Sequence, residues 1–444
     1  MKLSERIAAV QRDRALLAEP PPSTGLEHAA VRDSVQSRVI DGLGSRLYDP
    51  HIDDQRLAHE VRSAVTDVLG PGRPLGASEH SRIAQEVTDD LLGHGPLEAL
   101  LRDPDISEIM VNGPHQVFVE RSGQLFPVTT QFDDERHLRR TIDKMVSRVG
   151  RRVDESSPMV DARLPDGSRL NAILPPLAID GSALTIRKFS PDPFTIDDLV
   201  SMGTLTTAAA EFLAAAVRGR LTLVVSGSTG SGKTTTLNVL SSFIPEGERI
   251  VTIEDAAELR LQQQHVVRLE SRPPNLEGQG EVTIRTLVRN ALRMRPDRII
   301  LGEVRDSAAV DMLQAMSTGH DGSIGTVHAS SPREALARLE TMILLGGADL
   351  PLRAVRETMV SALDLIVHQV RGRTGARVIT SITEVVGLEG DTITVQEVFS
   401  RTHESAPLMP TGIRPRFLDR LRAAGEDLSR VNLTPESDQH QVTS

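Results

Sequence analysis

The sequence predicts an α/β protein: a mainly parallel sheet with helices on its faces, preceded by a smaller α/β domain and a helical module. Three observations carry this. Short apolar runs, "LTLVVSG", "RIVTIED", "RIILGE" and "GSIGTVH", alternate with helical stretches after residue 200, the pattern of a buried parallel sheet. A second region, with strand-like "SEIMVNG", "QVFVERSGQLFPV" and "ALTIRKF" around one helix from 135 to 149, is punctuated by Asn112-Gly113, Asp166-Gly167 and Asp180-Gly181, which read as turns. Ahead of both, "DDQRLAHEVRSAVTDVLG" repeats apolar positions at Leu57, Val61, Val65 and Leu69, a helical stripe.

Taken in order, residues 1–25 read as a mobile arm and 26–93 as a helical module broken by "GPGRPLG". Residues 94–189 read as the N-terminal α/β domain. Residues 190–401 form the large domain, opened by a hinge-like "SPDPFTIDDL" and closed by helices over 332–367 and a hairpin turning at Glu389-Gly390-Asp391. Residues 402–444 read as a partly disordered tail.

Composition excludes whole classes. The chain of 444 residues has no Cys, no Trp and one Tyr, which removes disulfides, thiolate metal sites and thiol catalysis and argues against base-stacking nucleic-acid modules. A net charge of −11 does not steer the whole chain to a phosphate backbone. The first residues lack an apolar signal core and no run approaches a spanning helix, so direct membrane insertion is not expected.

The chemistry concentrates after the strand "LTLVVSG". Gly227, Gly232, Lys233 and Thr234 stand in the order G-x-x-x-x-G-K-T, between an apolar strand and a helix-compatible run. Such a loop wraps phosphate oxygens in backbone amides at a helix N-terminus. Gly227, Ser228, Thr229, Gly230, Ser231, Gly232, Lys233, Thr234 and Thr235 are therefore the expected ATP-binding residues. Lys233 would bridge the β- and γ-phosphates, and the Thr234 hydroxyl would hold Mg²⁺. Two strands end in acid: Glu254 in "TIED" and Glu303 in "RIILGEVRD". Glu254 is the candidate for polarising the attacking water. Gly302 stands where a metal-binding Asp is usual, so Glu303 would reach the metal through water. In "STGHDGSIGTVHAS", His320 and His328 could form a metal site with Asp321, or His328 could end a strand facing the γ-phosphate while His320-Asp321-Gly322 caps a turn.

Together these motifs resemble the secretion ATPase superfamily of type II and type IV secretion and type IV pili. Residues 227–234 are similar to its phosphate loop, "TIED" to its acidic box, "RIILGEVRD" to its second nucleotide motif and "TGHDGSIGTVHA" to its histidine box. The text "ALRMRPDRIILGEVRDSAAVDMLQAMSTGHDGS" and the late hairpin resemble most closely its tight-adherence (Flp) pilus branch, the CpaF-like ATPases. The resemblance spans about 96–401. It implies a RecA-like P-loop ATPase domain and a homo-hexamer working in the cytoplasm on inner-membrane pilus or secretion platform proteins. It also implies arginines supplied by the N-terminal α/β domain to a neighbour's phosphates. Arg169 and Arg187 are the matching positions, with Arg163, Arg260 and Arg268 as further candidates. The function expected is ATP hydrolysis driving pilus assembly or secretion, with no nucleic acid favoured. One rival is a DNA-translocating or conjugative hexameric ATPase whose "RNALRMRPDR" (Arg289, Arg293, Arg295, Arg298) lines a pore; another is a nucleotide-gated scaffold that barely turns over.

Overall fold

A computed structural model describes residues 25–44, 54–69, 77–121, 123–189, 194–272, 274, 279–305, 308–347, 350–426, 428 and 433. The expected arm, the "GPGRPLG" breaker, the start of the hinge at 190–193 and the last eleven residues lie outside them. The chain divides into two compact units that meet in sequence at residues 190 and 191.

The first unit begins with helices Gly25–Leu43, Asp54–Leu69 and Ala77–Leu91. Val35, Val39, Val61, Val65, Ile83 and Val87 are all fully buried in one shared core. Each helix contributes an i, i+4 valine or isoleucine pair, which places both side chains on one face. The last helix is held by the α/β domain through its C-terminal carbonyls. Lys144 donates to the carbonyls of Asp90 and Leu91, at 3.2 and 2.8 Å, and Arg148 donates to that of Leu92 at 2.6 Å. Two cations thus meet the negative end of a helix dipole and its orphan acceptors.

The α/β domain is a six-stranded antiparallel sheet: β1 (Ile106–Asn112), β2 (Val117–Arg121), β3 (Gln124–Val128), β4 (Met159–Arg163), β5 (Arg169–Ile173) and β6 (Ala183–Arg187), in the order β3-β2-β1-β6-β5-β4. Alternate residues Ile109, Val111, Leu170, Ala172, Leu184 and Ile186 share a core with Leu138, Ile142 and Met145 of helix Glu135–Arg148. The three expected turns are real: Gly113, Gly167 and Gly181 have φ of +76°, +94° and +114°, values that favour glycine.

The second unit holds a nine-stranded sheet: β7 (Leu223–Gly227), β8 (Ile250–Glu254), β9 (Val266–Glu270), β10 (Arg298–Leu301), β11 (Ile324–His328), β12 (Leu365–Arg371), β13 (Arg377–Glu389), β14 (Thr392–Ser400) and β15 (Met409–Pro410). Its order is β15-β14-β13-β12-β7-β11-β10-β8-β9. The run from β12 to β9 is parallel, and β13 to β15 extend it antiparallel. The period of two splits each parallel strand between two cores. Leu223, Val225, Ile250, Ile300, Ile324 and Leu365 join helices Thr207–Arg218 and Lys233–Ser241. Val224, Val251, Ile253, Ile299, Leu301 and Ile366 join the helices over 284–362. Both faces are therefore covered, and the continuous apolar runs in the sequence follow. This is a RecA-like sheet, with the nucleotide-loop strand at its centre.

One expectation needs correcting. The helical reading over 332–367 runs too far: helices Pro332–Leu345 and Leu352–Ala362 are followed by β12 from Leu365. "LIVHQ" is buried throughout because it pairs with β7 and is covered on both sides, and such a run has no periodicity that separates strand from helix. Past 401 the chain carries β15 and a helix, Leu418–Ala423, and the end of the expected tail, from 434, lies outside the described residues. Leu408, Phe417 and Leu421 are buried in the sheet's first core, and Arg218 forks onto Glu426 with two bonds of 2.8 Å.

Candidate nucleotide site

The site lies at the carboxyl ends of the parallel strands, where open α/β sheets bind ligands. β7 delivers Gly227, and helix Lys233–Ser241 begins at once beyond the loop. Gly230 and Gly232 have φ of +70° and +94°. A Cβ at Gly227 would stand 2.2 Å from the Gln369 carbonyl oxygen and 2.6 Å from Ser231 Oγ, so the loop closes only with glycine there. Lys233 Nζ donates to the Ser228 carbonyl at 2.9 Å, and the Ser231 amide reaches the same oxygen at 3.3 Å. Ser231 Oγ is buried without a partner. A glycine cradle, an inward hydroxyl without a partner and a lysine held against the loop make a donor set suited to phosphate oxygens.

The strand register ranks the other groups by distance from the loop. His328 is the in-register partner of Gly227 on β11, one strand spacing away, about 4.8 Å. Glu303 follows β10, the next strand. That segment is stitched to β11 by Val304 N–H to Thr326 O at 2.8 Å and by Thr326 Oγ1 to Gly302 O at 2.6 Å. Glu303 is bonded by Arg305 at 2.6 Å, and Arg305 also reaches Asp255 at 3.2 Å. Glu254 ends β8, one strand further. His320 lies before β11, at its opposite end from His328, with its ring against the Ala315 carbonyl at 3.2 Å. The two histidines therefore do not converge, and His320 serves the turn closed by Gly322 at φ +78°.

Glu254 is the most perturbed acid of the site. It is 2% exposed. Its Oε2 accepts from the amides of Glu258 and Leu259 at 2.8 and 3.0 Å, while its buried Oε1 has no partner. Burial lifts the carboxyl to about 7, against the lowering effect of those two amides. The glycine at 302 now has a cause: a Cβ there would meet Glu254 Cγ at 2.8 Å. The Glu254 side chain occupies the space an aspartate at 302 would need.

The loop has a further wall that the motifs do not announce. Gln369 on β12 is the other in-register partner of Gly227, and its side chain accepts from Thr236 Oγ1 at 2.7 Å. Arg377 Nε donates to the Gly230 carbonyl at 3.0 Å, and Arg371 Nη1 would stand 3.1 Å from a Cβ on Gly230. His368, beside them, lies with Nδ1 2.9 Å from Ser226 Oγ, and burial pushes its imidazole below the ordinary histidine value. The one signal of this wall in the sequence is the run of arginines in "RGRTGAR".

Arg169 and Arg187 belong to the other unit. They are cross-strand partners at the ends of β5 and β6, and Arg163 on β4 pairs with Arg169. Glu108 completes the row, 3.8 Å from Arg187. Arg260 follows β8, and Arg268 on β9 stands directly opposite Thr252 of β8. Of the "RNALRMRPDR" arginines, Arg298 is wholly buried on Glu248 at 2.6 Å and cannot line a pore, while Arg289 bonds Asp311 at 2.7 Å from a largely exposed position.

Comparison with known proteins identifies the family. The Type II/IV secretion system protein family matches residues 90–378. A putative conjugal transfer protein of Mycobacterium tuberculosis is 39% identical over 322 residues, covering 71% of this chain and 91% of that protein. The type IV secretion system protein VirB11 of Bartonella quintana is 33% identical over 317 residues, covering 62% of this chain and 86% of that protein. The VirB11 ATPase of the Brucella suis type IV secretion system, solved in complex with sulphate, is 32% identical with a TM-score of 0.36, covering 65% of this chain and 94% of that one. The chain thus belongs to the type II/IV secretion system protein family, the secretion ATPase superfamily.

Proposed function

We propose that the protein hydrolyses ATP and turns the free energy into mechanical work for a secretion or tight-adherence pilus machine, as a homo-hexamer acting at the inner membrane through platform proteins. The observation that carries this is the shared edge: the glycine cradle, His328, Glu303 and Glu254 fall on successive strand ends of one parallel sheet.

In this reading the amides of residues 228–234 and Lys233 bind the triphosphate tail. Thr234, with Glu303 through water, would hold Mg²⁺, which supplies charge neutralisation on the phosphates. Glu254 orients the attacking water. Its unpartnered Oε1 accepts the water proton as oxygen bonds to the γ-phosphorus and the bond to ADP breaks. His328 reports the γ-phosphate charge. The arginine row of β4, β5 and β6 supports a role for Arg169 and Arg187 on a neighbouring subunit's phosphates.

No helix among the described residues is long and apolar enough to cross a membrane. The names of the conjugal-transfer relatives keep a DNA-moving machine in view as the second reading, and salt-dependent binding of DNA with stimulated hydrolysis would favour it. The deciding experiment measures ATPase activity per protomer against protein concentration, with Arg169→Ala and Arg187→Ala beside wild type. Specific activity should climb steeply with assembly and collapse in both variants. A confirmed monomer with full specific activity would overturn the shared site.

A further inference from the structure

The phosphate loop is gripped from the side away from His328 by β12 and β13, at three points. Before the loop, Ser226 Oγ lies 2.9 Å from His368 Nδ1. Within it, Arg377 Nε donates to the Gly230 carbonyl at 3.0 Å. After it, Thr236 Oγ1 donates to Gln369 Oε1 at 2.7 Å, both groups buried. The fit is close: a Cβ on Gly232 would stand 3.0 Å from Gln369 Nε2 and 3.2 Å from Arg377 Cδ.

The middle contact has a directional consequence. A trans peptide is planar, so its C=O and the next N–H point opposite ways. By holding the Gly230 carbonyl, Arg377 fixes the Ser231 N–H toward the other side. That N–H meets the Ser228 carbonyl at 3.3 Å, the same oxygen that takes Lys233 Nζ at 2.9 Å. One guanidinium therefore sets the aim of an amide and, through the shared acceptor, of the lysine. Arg377 is itself anchored: its own carbonyl accepts from Thr204 Oγ1 at 2.9 Å, and the Ile379 amide donates to the Thr204 carbonyl at 2.9 Å. A side chain on a pinned strand end is a fixed arm. The closing turn is also tied, since Gly372 N–H donates to the Ala376 carbonyl at 2.7 Å.

We propose that Arg377 is a positioning residue for the phosphate loop, preorganising the Ser231 amide and Lys233 for a nucleotide's phosphates from the β12–β13 turn. This rests on the nucleotide reading above and deepens it. Because Arg377 orders the loop rather than the water, its loss weakens the binding of di- and triphosphate alike.

The test is calorimetric titration of full-length wild type, Arg377→Met and Arg377→Lys with ADP and with a non-hydrolysable ATP analogue, alongside steady-state hydrolysis and thermal midpoints. Methionine keeps the stem and removes the donor; lysine restores a donor. The expected result is a Kd about tenfold higher for both nucleotides in the Met variant. KM should rise in step while kcat stays within about threefold, and Lys should recover most of the affinity. Met affinities within twofold of wild type would overturn the inference, whether or not the thermal midpoint moves. So would a Lys variant as weak as Met. Were Met too unstable to assay, Lys against wild type decides alone: an undiminished loss in Lys overturns the proposal, and near-wild-type binding supports it. A wild-type protein that binds neither nucleotide would remove the site reading itself, a result distinct from a variant that binds as well as wild type.

Discussion

The two sheets present function in opposite ways. The parallel sheet of the second unit is buried on both faces, so it offers a ligand only its edge, where strands hand over to loops. The antiparallel sheet of the first unit buries one set of alternate residues, and the other set stands in cross-strand rows such as Arg163, Arg169, Arg187 and Glu108. An edge site is built from backbone amides and single side chains at strand ends. A face site is built from register. The first is unforgiving of any change in its few groups; the second distributes its charge over several.

Substitutions should separate these designs. The largest effect belongs to the edge. Lys233→Ala removes the one cation held inside the loop and should lower turnover by roughly 10³-fold or more, read as phosphate release at saturating ATP. Next comes the face. Arg169→Ala or Arg187→Ala should reduce turnover by roughly 10²- to 10³-fold while leaving the thermal midpoint close to wild type, because both side chains are exposed at strand ends. A loss confined to stability would mean the row is structural and the contrast false.

A third substitution asks what holds the edge flat. Arg298 is wholly buried and bonds Glu248 at 2.6 Å, the Val217 carbonyl at 2.9 Å and the Gly322 carbonyl at 3.0 Å. It ties β10 to a helix end and to the turn before β11. Arg298→Met strands two carbonyls and leaves Glu248 to Arg220, and should destabilise the second unit by about 3 kcal/mol, read by chemical denaturation. Glu248 is mostly buried and loses its 2.6 Å partner, so the Glu248→Gln, Arg298→Met pair should recover part of the loss, less the Arg220 contact at 3.2 Å. A variant within 1 kcal/mol of wild type would show the pair to be dispensable.

What was legible in the sequence follows the same division. The loop, the two glutamates and His328 are local signals: each is a short run whose chemistry and strand context sit within ten residues. The reason for Gly302 was not legible, because the side chain that excludes a Cβ there comes from Glu254 on the neighbouring strand. Gln369 and Arg377 were missed for a related reason. They reach the loop only because β12 pairs beside β7 across some 140 residues of chain, and the apolar run that makes this pairing reads equally well as the end of a helix. The arginine row was legible position by position, yet its alignment depends on antiparallel register, which turns and pleat set together.

The smallest expected effect tests the edge most finely. Glu254 is a carboxyl lifted to about 7 by burial, from an ordinary value of 4.5. The folded protein holds this proton more tightly than the unfolded chain does. Its stabilising contribution is therefore complete below pH 4.5 and is lost progressively as pH rises through about 7. Above that, the folded state carries a buried charge, and Glu254→Gln, which never charges, should be the more stable by about 3 kcal/mol at most. At pH 4 the two proteins should match. The difference between their unfolding free energies, followed from pH 4 to 8.5, cancels every other titrating group and isolates this one. Activity should run the other way: hydrolysis by wild type rises through pH 7 as the base loses its proton, and the Gln variant stays low throughout. A stability difference flat in pH would mean that Glu254 is solvated in solution, and its part in handling the water proton would fall with it.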